Sequence, residues 1–230
     1  MAPFIGQLMI PGIGTELIYS FVIIFCSLVI YFETKELYEL SSYKGINYFR
    51  QAFLFFGIAY FFRYFIKFLV GYFEIKEVLD LSPRIVGQVS LFFFVYFSTI
   101  AIFYLIYSMM WKKWGQGEYR IYLLHGLALL TCMLSIFLRD PFIYLLINLS
   151  LFIFAIILFL RLHKETKKDK RNKKNNLHTI YILLFTFWSL NMIDILIPDF
   201  LQNTQLFIYL VSLSIFLTIL YKVTKKSGSN

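Results

Sequence analysis

Cysteine, proline and charged side chains are all scarce in this chain of 230 residues. Its two cysteines, Cys26 and Cys132, both lie in apolar runs, so the sequence contains neither a disulfide framework nor a thiolate metal site. We expect both to be small buried side chains. The five prolines fall at the edges of the apolar runs or outside them, so none is expected to interrupt a helix.

Charged residues make up 15% of the chain, against roughly 25% in a typical soluble domain. Hydrophobic residues make up 60%. A chain with so few charged side chains cannot cover a soluble fold of this size, so we expect most of its helices to face lipid. The same composition excludes the disordered, fibrous and disulfide-rich classes of protein.

Seven continuous apolar runs follow one another along the chain. Each is long enough, at about 20 residues, to cross a bilayer as an α-helix, whereas a β-barrel needs shorter segments of alternating polarity. The sequence therefore predicts an all-α integral membrane protein, a seven-transmembrane-helix bundle within residues 1–222. The predicted spans lie near 16–34, 50–73, 85–110, 119–138, 141–161, 178–198 and 204–222.

The basic residues between the runs predict the orientation of the bundle. Seventeen of the 22 Lys and Arg residues fall in segments that would lie on one side of the membrane. By the positive-inside rule that side is the cytoplasm, so the amino terminus lies outside and the carboxyl terminus inside. The inner segments include a basic loop, 162–177, and a basic tail, 223–230. Residues 1–15 contain neither Lys nor Arg, so we expect no cleaved secretory signal.

The net charge of +9 does not indicate nucleic-acid binding, because the basic segments lie between apolar runs and lack interleaved aromatic residues. We expect the lipid bilayer around the bundle and anionic lipid headgroups against the basic inner face. Docking of a cytosolic protein on loop 162–177 is the alternative. The abundance of Phe, Ile and Lys is typical of an AT-rich genome, which indicates the plasma membrane of a prokaryote.

Polar residues predict where some helices begin and end. The first run continues as a helical pattern, with Lys35 and Glu39 one turn apart. Ser41, Ser42 and Gly45 are expected to end this helix. The fifth helix is expected to begin near Pro141, because proline is favoured in a first helical turn.

The second run carries two cations, Arg63 and Lys67, well inside its apolar part. A charge near the centre of a span costs about 2.5–3.5 kcal/mol on insertion scales, so such residues are candidates for function. Four positions apart, the two cations share one helix face with Tyr60. We predict a polar pocket in the outer half of the bundle for a small anionic or amphiphilic ligand. Its predicted residues are Tyr60, Arg63, Lys67, Gln88, Asn148, Trp188, Asn191 and Asp194.

This pocket requires the second and sixth spans to be adjacent, because Asp194 on the sixth span would lie at the height of Lys67. The structural alternative involves no ligand. In that case Lys67 extends to the outer interface, while Arg63 and Asp194 form a salt bridge that only holds two helices together.

No catalytic or metal-binding constellation is visible in the sequence. His125, His163 and His178 lack the spacing of metal ligands, so we expect neither an enzyme nor a cofactor. Seven spans, an outer pocket and a charged inner face favour a receptor-like or sensor-like protein, by fold-level analogy. A small-solute transporter of three-plus-one-plus-three type is the first alternative, although the sequence shows no interrupted helix. An accessory or assembly subunit without a ligand is the second.

Overall fold

The computed structural model describes residues 13–65, 83–114, 119–138, 141–168, 175–196 and 205–227. These residues are helical apart from the turn at 42–43. A π-helical turn, Phe61–Phe65, continues the second helix. The helices are α1 (Ile13–Ser41), α2 (Lys44–Tyr60), α3 (Pro83–Trp114), α4 (Tyr119–Leu138), α5 (Pro141–Lys168), α6 (Asn175–Leu196) and α7 (Gln205–Ser227).

Each predicted apolar run lies on one of these helices wherever the structure describes it. α4 has the predicted bounds, and α5 begins at Pro141 as expected. α5 and α6 extend into the predicted loop 162–177, because α5 ends at Lys168 and α6 begins at Asn175. Lys, Arg and Glu are good helix formers, so a helix can continue beyond its apolar part.

The turn between α1 and α2 needs only two residues. Ser42 adopts a φ of 50°, in the left-handed region, and its N–H donates to the carbonyl oxygen of Tyr38 at 2.8 Å. The N–H of Tyr43 donates to the hydroxyl oxygen of Ser41 at 3.3 Å. The first bond keeps the α-helical pattern, from residue i to residue i−4, and closes the end of α1, whereas the second is made to a side chain. The next helix, α2, begins at Lys44.

Gly45 does not belong to this break, contrary to the prediction. It is buried in the first turn of α2. A Cβ at this position would meet the ring of Tyr43 and would lie 2.8 Å from Cδ1 of Trp111 on α3. Interiors are close-packed, and this approach leaves no room for a side chain. Gly45 is therefore required by the packing of α2 on α3.

Helices that follow each other in sequence pack against each other, and α7 packs on α1, so the helix contacts form a closed cycle. Phe62, in the π-helical turn that continues α2, stacks on Phe93 of α3, and Tyr48 of α2 lies against Tyr104 of α3. The order of the contacts is reversed along the two helices, so α2 and α3 are antiparallel. The contacts of α1 with α2, of α3 with α4 and of α5 with α6 show the same reversal.

Aromatic side chains fill the interior of the bundle. Phe53 of α2, Phe187 of α6 and Phe216 of α7 are all buried. The ring centroid of Phe216 lies 5.9 Å from that of Phe53 and 4.8 Å from that of Phe187, both in the edge-on geometry that aromatic pairs prefer. α7 is also held to α1, where the ring of Tyr209 stacks on that of Tyr19 at 4.5 Å.

Large apolar side chains are also exposed, among them Phe21 and Phe32 on α1 and Leu130 and Phe137 on α4. Soluble monomers rarely expose so much apolar surface. Within the described residues, three segments are long and apolar enough to cross a membrane: Leu17–Ser41, Gln88–Trp111 and Phe207–Lys225. Shorter apolar helical segments lie at Tyr119–Ser135, Leu149–Arg161 and Thr179–Leu190. Together these features support a helical membrane protein.

Replacing Gly45 by alanine is expected to destabilise the fold, because the added methyl group has to displace the Trp111 ring. Overpacking of this kind costs typically about 1–3 kcal/mol, which lowers the melting temperature of the protein in detergent micelles. Gly126→Ala is the matched control, since a Cβ on Gly126 of α4 meets no atom within 4 Å. Alanine favours helix over glycine, so this control melts at or above the wild-type temperature. Equal melting temperatures for the two variants would contradict the close packing at Gly45.

Candidate functional site

The second helix changes from α-helical to π-helical geometry at Phe61–Phe65, and Arg63 lies in the middle of this turn. The hydroxyl of Ser90 on α3 donates to the carbonyl oxygen of Phe62 at 2.6 Å. In an apolar environment, a serine hydroxyl from a neighbouring helix can satisfy a carbonyl that irregular helix geometry leaves without its usual donor. Single π-helical turns inside α-helices occur frequently at functional sites.

Stacked aromatic rings hold this turn against α3. The ring centroid of Phe62 lies 4.5 Å from that of Phe93 and 5.8 Å from that of Phe97, and both pairs are stacked. Seven residues earlier, in the α-helical part of the same helix, Phe55 stacks on Phe97 at 6.0 Å. The position of the turn is therefore fixed by both a hydrogen bond and ring packing.

Arg63 faces α3. Its guanidinium carbon lies 5.2 Å from the centroid of the Phe94 ring, within the range of a cation–π interaction. The side chain is half-buried. An aromatic face stabilises the positive charge without neutralising it, so the guanidinium keeps its capacity to attract an anion.

Tyr60, three residues before Arg63, joins α2 to α1 and α6. It is 4% exposed, and its ring centroid lies 6.0 Å from that of Tyr19 and 6.4 Å from that of Phe187. A second contact between α2 and α6 places the ring of Phe49 at 6.0 Å from that of Tyr181. α2 and α6 therefore touch through these two pairs of rings, whereas the helices packed closely on α2 are α1 and α3. The two contacts follow the same order along α2 and α6, which makes these two helices parallel.

The other predicted pocket residues are placed as follows. Trp188 is buried on α6, where its ring packs edge-on against Phe152 of α5 at 5.1 Å. Gln88 is exposed on α3, two residues before Ser90. Lys67 lies outside the described residues. The backbones of Asn148, Asn191 and Asp194 lie on α5 and α6, but their side chains are outside the described part of the structure. The structure thus places Tyr60 against α1 and α6 and Arg63, three residues later, against α3. A common pocket of the predicted residues stays a prediction.

A second polar cluster was not predicted. The imidazole of His125 on α4 lies between two tyrosine hydroxyls of α3, with Tyr96 Oη 2.8 Å from Nδ1 and Tyr104 Oη 3.0 Å from Nε2. A neutral imidazole has one donor and one acceptor nitrogen, so one tyrosine donates to the ring and the other accepts from it. The one sequence signal is the spacing of Tyr96 and Tyr104, which are eight residues apart and share a helix face.

A third polar contact joins α3 to α6. The Ser108 hydroxyl donates to the carbonyl oxygen of Leu105 at 2.7 Å and lies 2.9 Å from the hydroxyl of Tyr181. Since a serine hydroxyl has a single hydrogen, Tyr181 is the donor in the second bond. Both side chains are buried, so this bond links two helices in the interior.

The described residues show no metal site, since no three His, Cys, Asp or Glu side chains lie close enough together to hold an ion. The two cysteines are free and buried. The thiol of Cys132 on α4 donates to the carbonyl oxygen of Phe92 on α3 at 3.2 Å. This hydrogen bond of Cys132 therefore also joins α3 to α4.

The fold and these interhelical polar contacts define a helical membrane protein. The chain is 31% identical over 215 residues to an uncharacterized protein of Archaeoglobus fulgidus, and the match covers 93% of each of the two chains. The chain therefore belongs to the same family as this archaeal protein. No protein-family model matches the chain, and no solved structure matches it.

Ser90→Ala is expected to destabilise the π-helical turn, because the Phe62 carbonyl oxygen loses its donor from α3. Hydrogen bonds between membrane helices are worth on average about 0.6 kcal/mol and at most about 1.7 kcal/mol. Ser98→Ala is the matched control, since the Ser98 hydroxyl donates only to Val95 of its own helix, at 3.1 Å. Melting temperatures in detergent should fall more for Ser90→Ala than for Ser98→Ala. The reverse order would show that the turn does not depend on Ser90.

Proposed function

We propose that the chain crosses the plasma membrane of a prokaryotic cell seven times, with its amino terminus outside and its carboxyl terminus in the cytoplasm. The reversed order of contacts in the pairs α1–α2, α2–α3, α3–α4 and α5–α6 supports this arrangement, because helices that alternate across a membrane are antiparallel to their neighbours in sequence. The distribution of Lys and Arg between the apolar runs sets the direction. Three of the described helical segments already meet the length and hydropathy of a span.

We infer a receptor-like or sensor-like function, with a ligand that binds at the π-helical turn of α2. The observation that carries this inference is a half-buried Arg63 in a π-helical turn that Ser90 bonds to α3, with the guanidinium beside the Phe94 ring. Arg50 is one of the basic residues predicted at the cytoplasmic side. Arg63 lies about 20 Å further along the helix, well away from the start of α2. A charge at such a position is costly and is a candidate for function by default.

The chemistry of this region suits a small anionic or amphiphilic ligand. The guanidinium supplies positive charge, and the Phe94 ring of α3 beside it supplies apolar surface. Three residues earlier, Tyr60 contacts rings of α1 and α6. By sequence, Lys67 follows Arg63 by one turn, and Asp194 is the acid predicted at the same height. Two cations and one carboxylate leave a net positive charge, which would attract a carboxylate, phosphate or sulfonate group.

The inner face would pass the signal on. The chain carries eight basic residues between Arg161 and Lys174, in and around the predicted loop 162–177. These suit anionic lipid headgroups, and a cytosolic protein with an acidic surface is the alternative partner. In either case the receptor-like function requires a partner that responds to the state of the helices.

A transporter is the second candidate function. The sequence alone offers it little support, whereas the π-helical turn supports it. Transporters usually build their binding sites at interruptions of membrane helices. The sequence shows no proline or glycine within residues 61–65, yet the structure contains an interruption there. An accessory subunit would use the same polar contacts only to hold helices together.

Octanesulfonate, an anionic amphiphile that does not readily cross lipid, is a suitable probe. It is expected to raise the melting temperature of the protein in a nonionic detergent, because a ligand that binds only the folded state stabilises it. Arg63→Gln should abolish this increase. Lys35→Gln is the matched control, since Lys35 is an exposed cation on α1 that pairs with Glu39. Octanol, with a chain of the same length and no charge, controls for simple partitioning.

The outcomes separate the candidate functions. A sensor shows stabilisation without uptake of octanesulfonate into proteoliposomes, whereas a transporter shows uptake that Arg63→Gln abolishes. An equal response of wild type and Arg63→Gln, or an equal effect of octanol, would overturn the proposed anion site and leave the accessory subunit as the better description.

A further inference from the structure

A cavity of about 380 Å³ lies where the end of α3 meets the start of α4. Its lining consists of Tyr107, Trp114, Tyr119, Arg120, Leu123 and Leu124. It is separate from the π-helical turn, because Tyr107 lies 13 residues beyond Phe94 along α3, a distance of about 20 Å. Cavities of roughly this size hold small molecules or parts of larger ones.

The cavity has a buried floor and an exposed rim. Tyr107 and Leu124 are 1% and 6% exposed, whereas Tyr119 and Leu123 are 62% and 55% exposed. The ring of Trp114 lies 6.0 Å from that of Tyr107, which closes one wall. A ligand can therefore enter from the surface of the α3–α4 pair without crossing the interior of the bundle.

Arg120 gives the cavity a positive charge at its rim, beside Tyr119. Its Nε donates to the hydroxyl oxygen of Tyr119 at 3.0 Å, and its guanidinium carbon lies 5.3 Å from the centroid of the same ring. In the sequence, Lys112 and Lys113 precede this site, and Glu118 is the one acid between residues 112 and 120. The site therefore complements an anion, and a guanidinium is especially suited to phosphate.

A stripe of exposed leucines leads away from Arg120 along α4. Leu123, Leu127, Leu130 and Leu134 are 55%, 42%, 58% and 41% exposed, and their spacing of four, three and four residues places them on one helix face. From Arg120 to Leu134 the helix rises about 21 Å. The stripe is continuous with the cavity through Leu123, which belongs to both. A charged cavity followed by an apolar stripe matches the headgroup and acyl chain of one lipid.

We propose that this surface is a binding site for one anionic phospholipid, whose phosphate lies against Arg120 and whose acyl chain lies along the leucine stripe of α4. Basic pockets between membrane helices commonly bind anionic headgroups. The site differs from the general attraction of lipid to loop 162–177 because it has a defined stoichiometry. It requires only that the bundle lie in a bilayer, and it does not depend on the ligand proposed for Arg63.

Native mass spectrometry of the full chain in nonionic detergent tests the proposal, with phosphatidylglycerol and phosphatidylcholine added in turn. The wild type is expected to bind a single phosphatidylglycerol about tenfold more tightly than phosphatidylcholine, as a charge-assisted hydrogen bond implies. Arg120→Gln should lose this preference, and Arg120→Lys should keep part of it. Lys35→Gln should bind phosphatidylglycerol as the wild type does, since Lys35 is an exposed cation on α1.

Adding inorganic phosphate at tenfold excess over the lipid shows whether the cavity binds a lipid headgroup or a free phosphate ion. If the apolar stripe contributes, phosphate does not displace phosphatidylglycerol, and displacement would reassign the cavity to a free anion. If the wild type binds phosphatidylglycerol and phosphatidylcholine equally, that result alone overturns the proposal. Equal binding by Arg120→Gln would overturn it as well. Loss of binding in Arg63→Gln, with binding kept in Arg120→Gln, would place the lipid at the other site.

Discussion

Polar groups of α3 that lie away from water form hydrogen bonds to three other helices, and the arrangement of the bundle depends on them. Ser90 donates to α2, and the hydroxyls of Tyr96 and Tyr104 bond the imidazole on α4. Ser108 accepts from Tyr181 on α6. A broken bond in such surroundings leaves a polar group without a partner, which is costly in an apolar medium. Each bond therefore fixes the position of a neighbouring helix relative to α3.

The same helix connects the two ends of the molecule that the function would use. Ser90 and Ser108 are 18 residues apart on α3, a distance of about 27 Å. Near one end, α3 bonds the turn that carries Arg63. Near the other end, it bonds Tyr181 of α6 and contributes Tyr107 to the cavity between α3 and α4. A ligand at the turn and a lipid at the cavity would thus both contact one continuous helix. If the protein is a sensor as proposed, this helix would be the physical link between its two halves.

The helices could be predicted because each apolar run carries its own signal in length and composition. The π-helical turn could not, since no proline or glycine marks it and its stabilising hydroxyl comes from α3. The partners of His125 lie 29 and 21 residues away in sequence, beyond the reach of a local pattern. In the predicted pocket, Tyr60 and Arg63 lie at the turn, whereas Trp188 packs towards α5 and Gln88 is exposed. Such contacts depend on how each helix is rotated about its own axis. A helix that is apolar on all of its faces carries no sequence signal for that rotation.

The alternation of the helices across a membrane is tested most directly by labelling single cysteines with an impermeant maleimide in sealed right-side-out vesicles. In a background with Cys26 and Cys132 replaced by alanine, Asp80→Cys should react at once. Ser42→Cys and Asn172→Cys should react only after the membrane is permeabilised, because their segments would lie in the cytoplasm. Immediate labelling at position 42 or 172, on the same side as position 80, would contradict the seven-span arrangement.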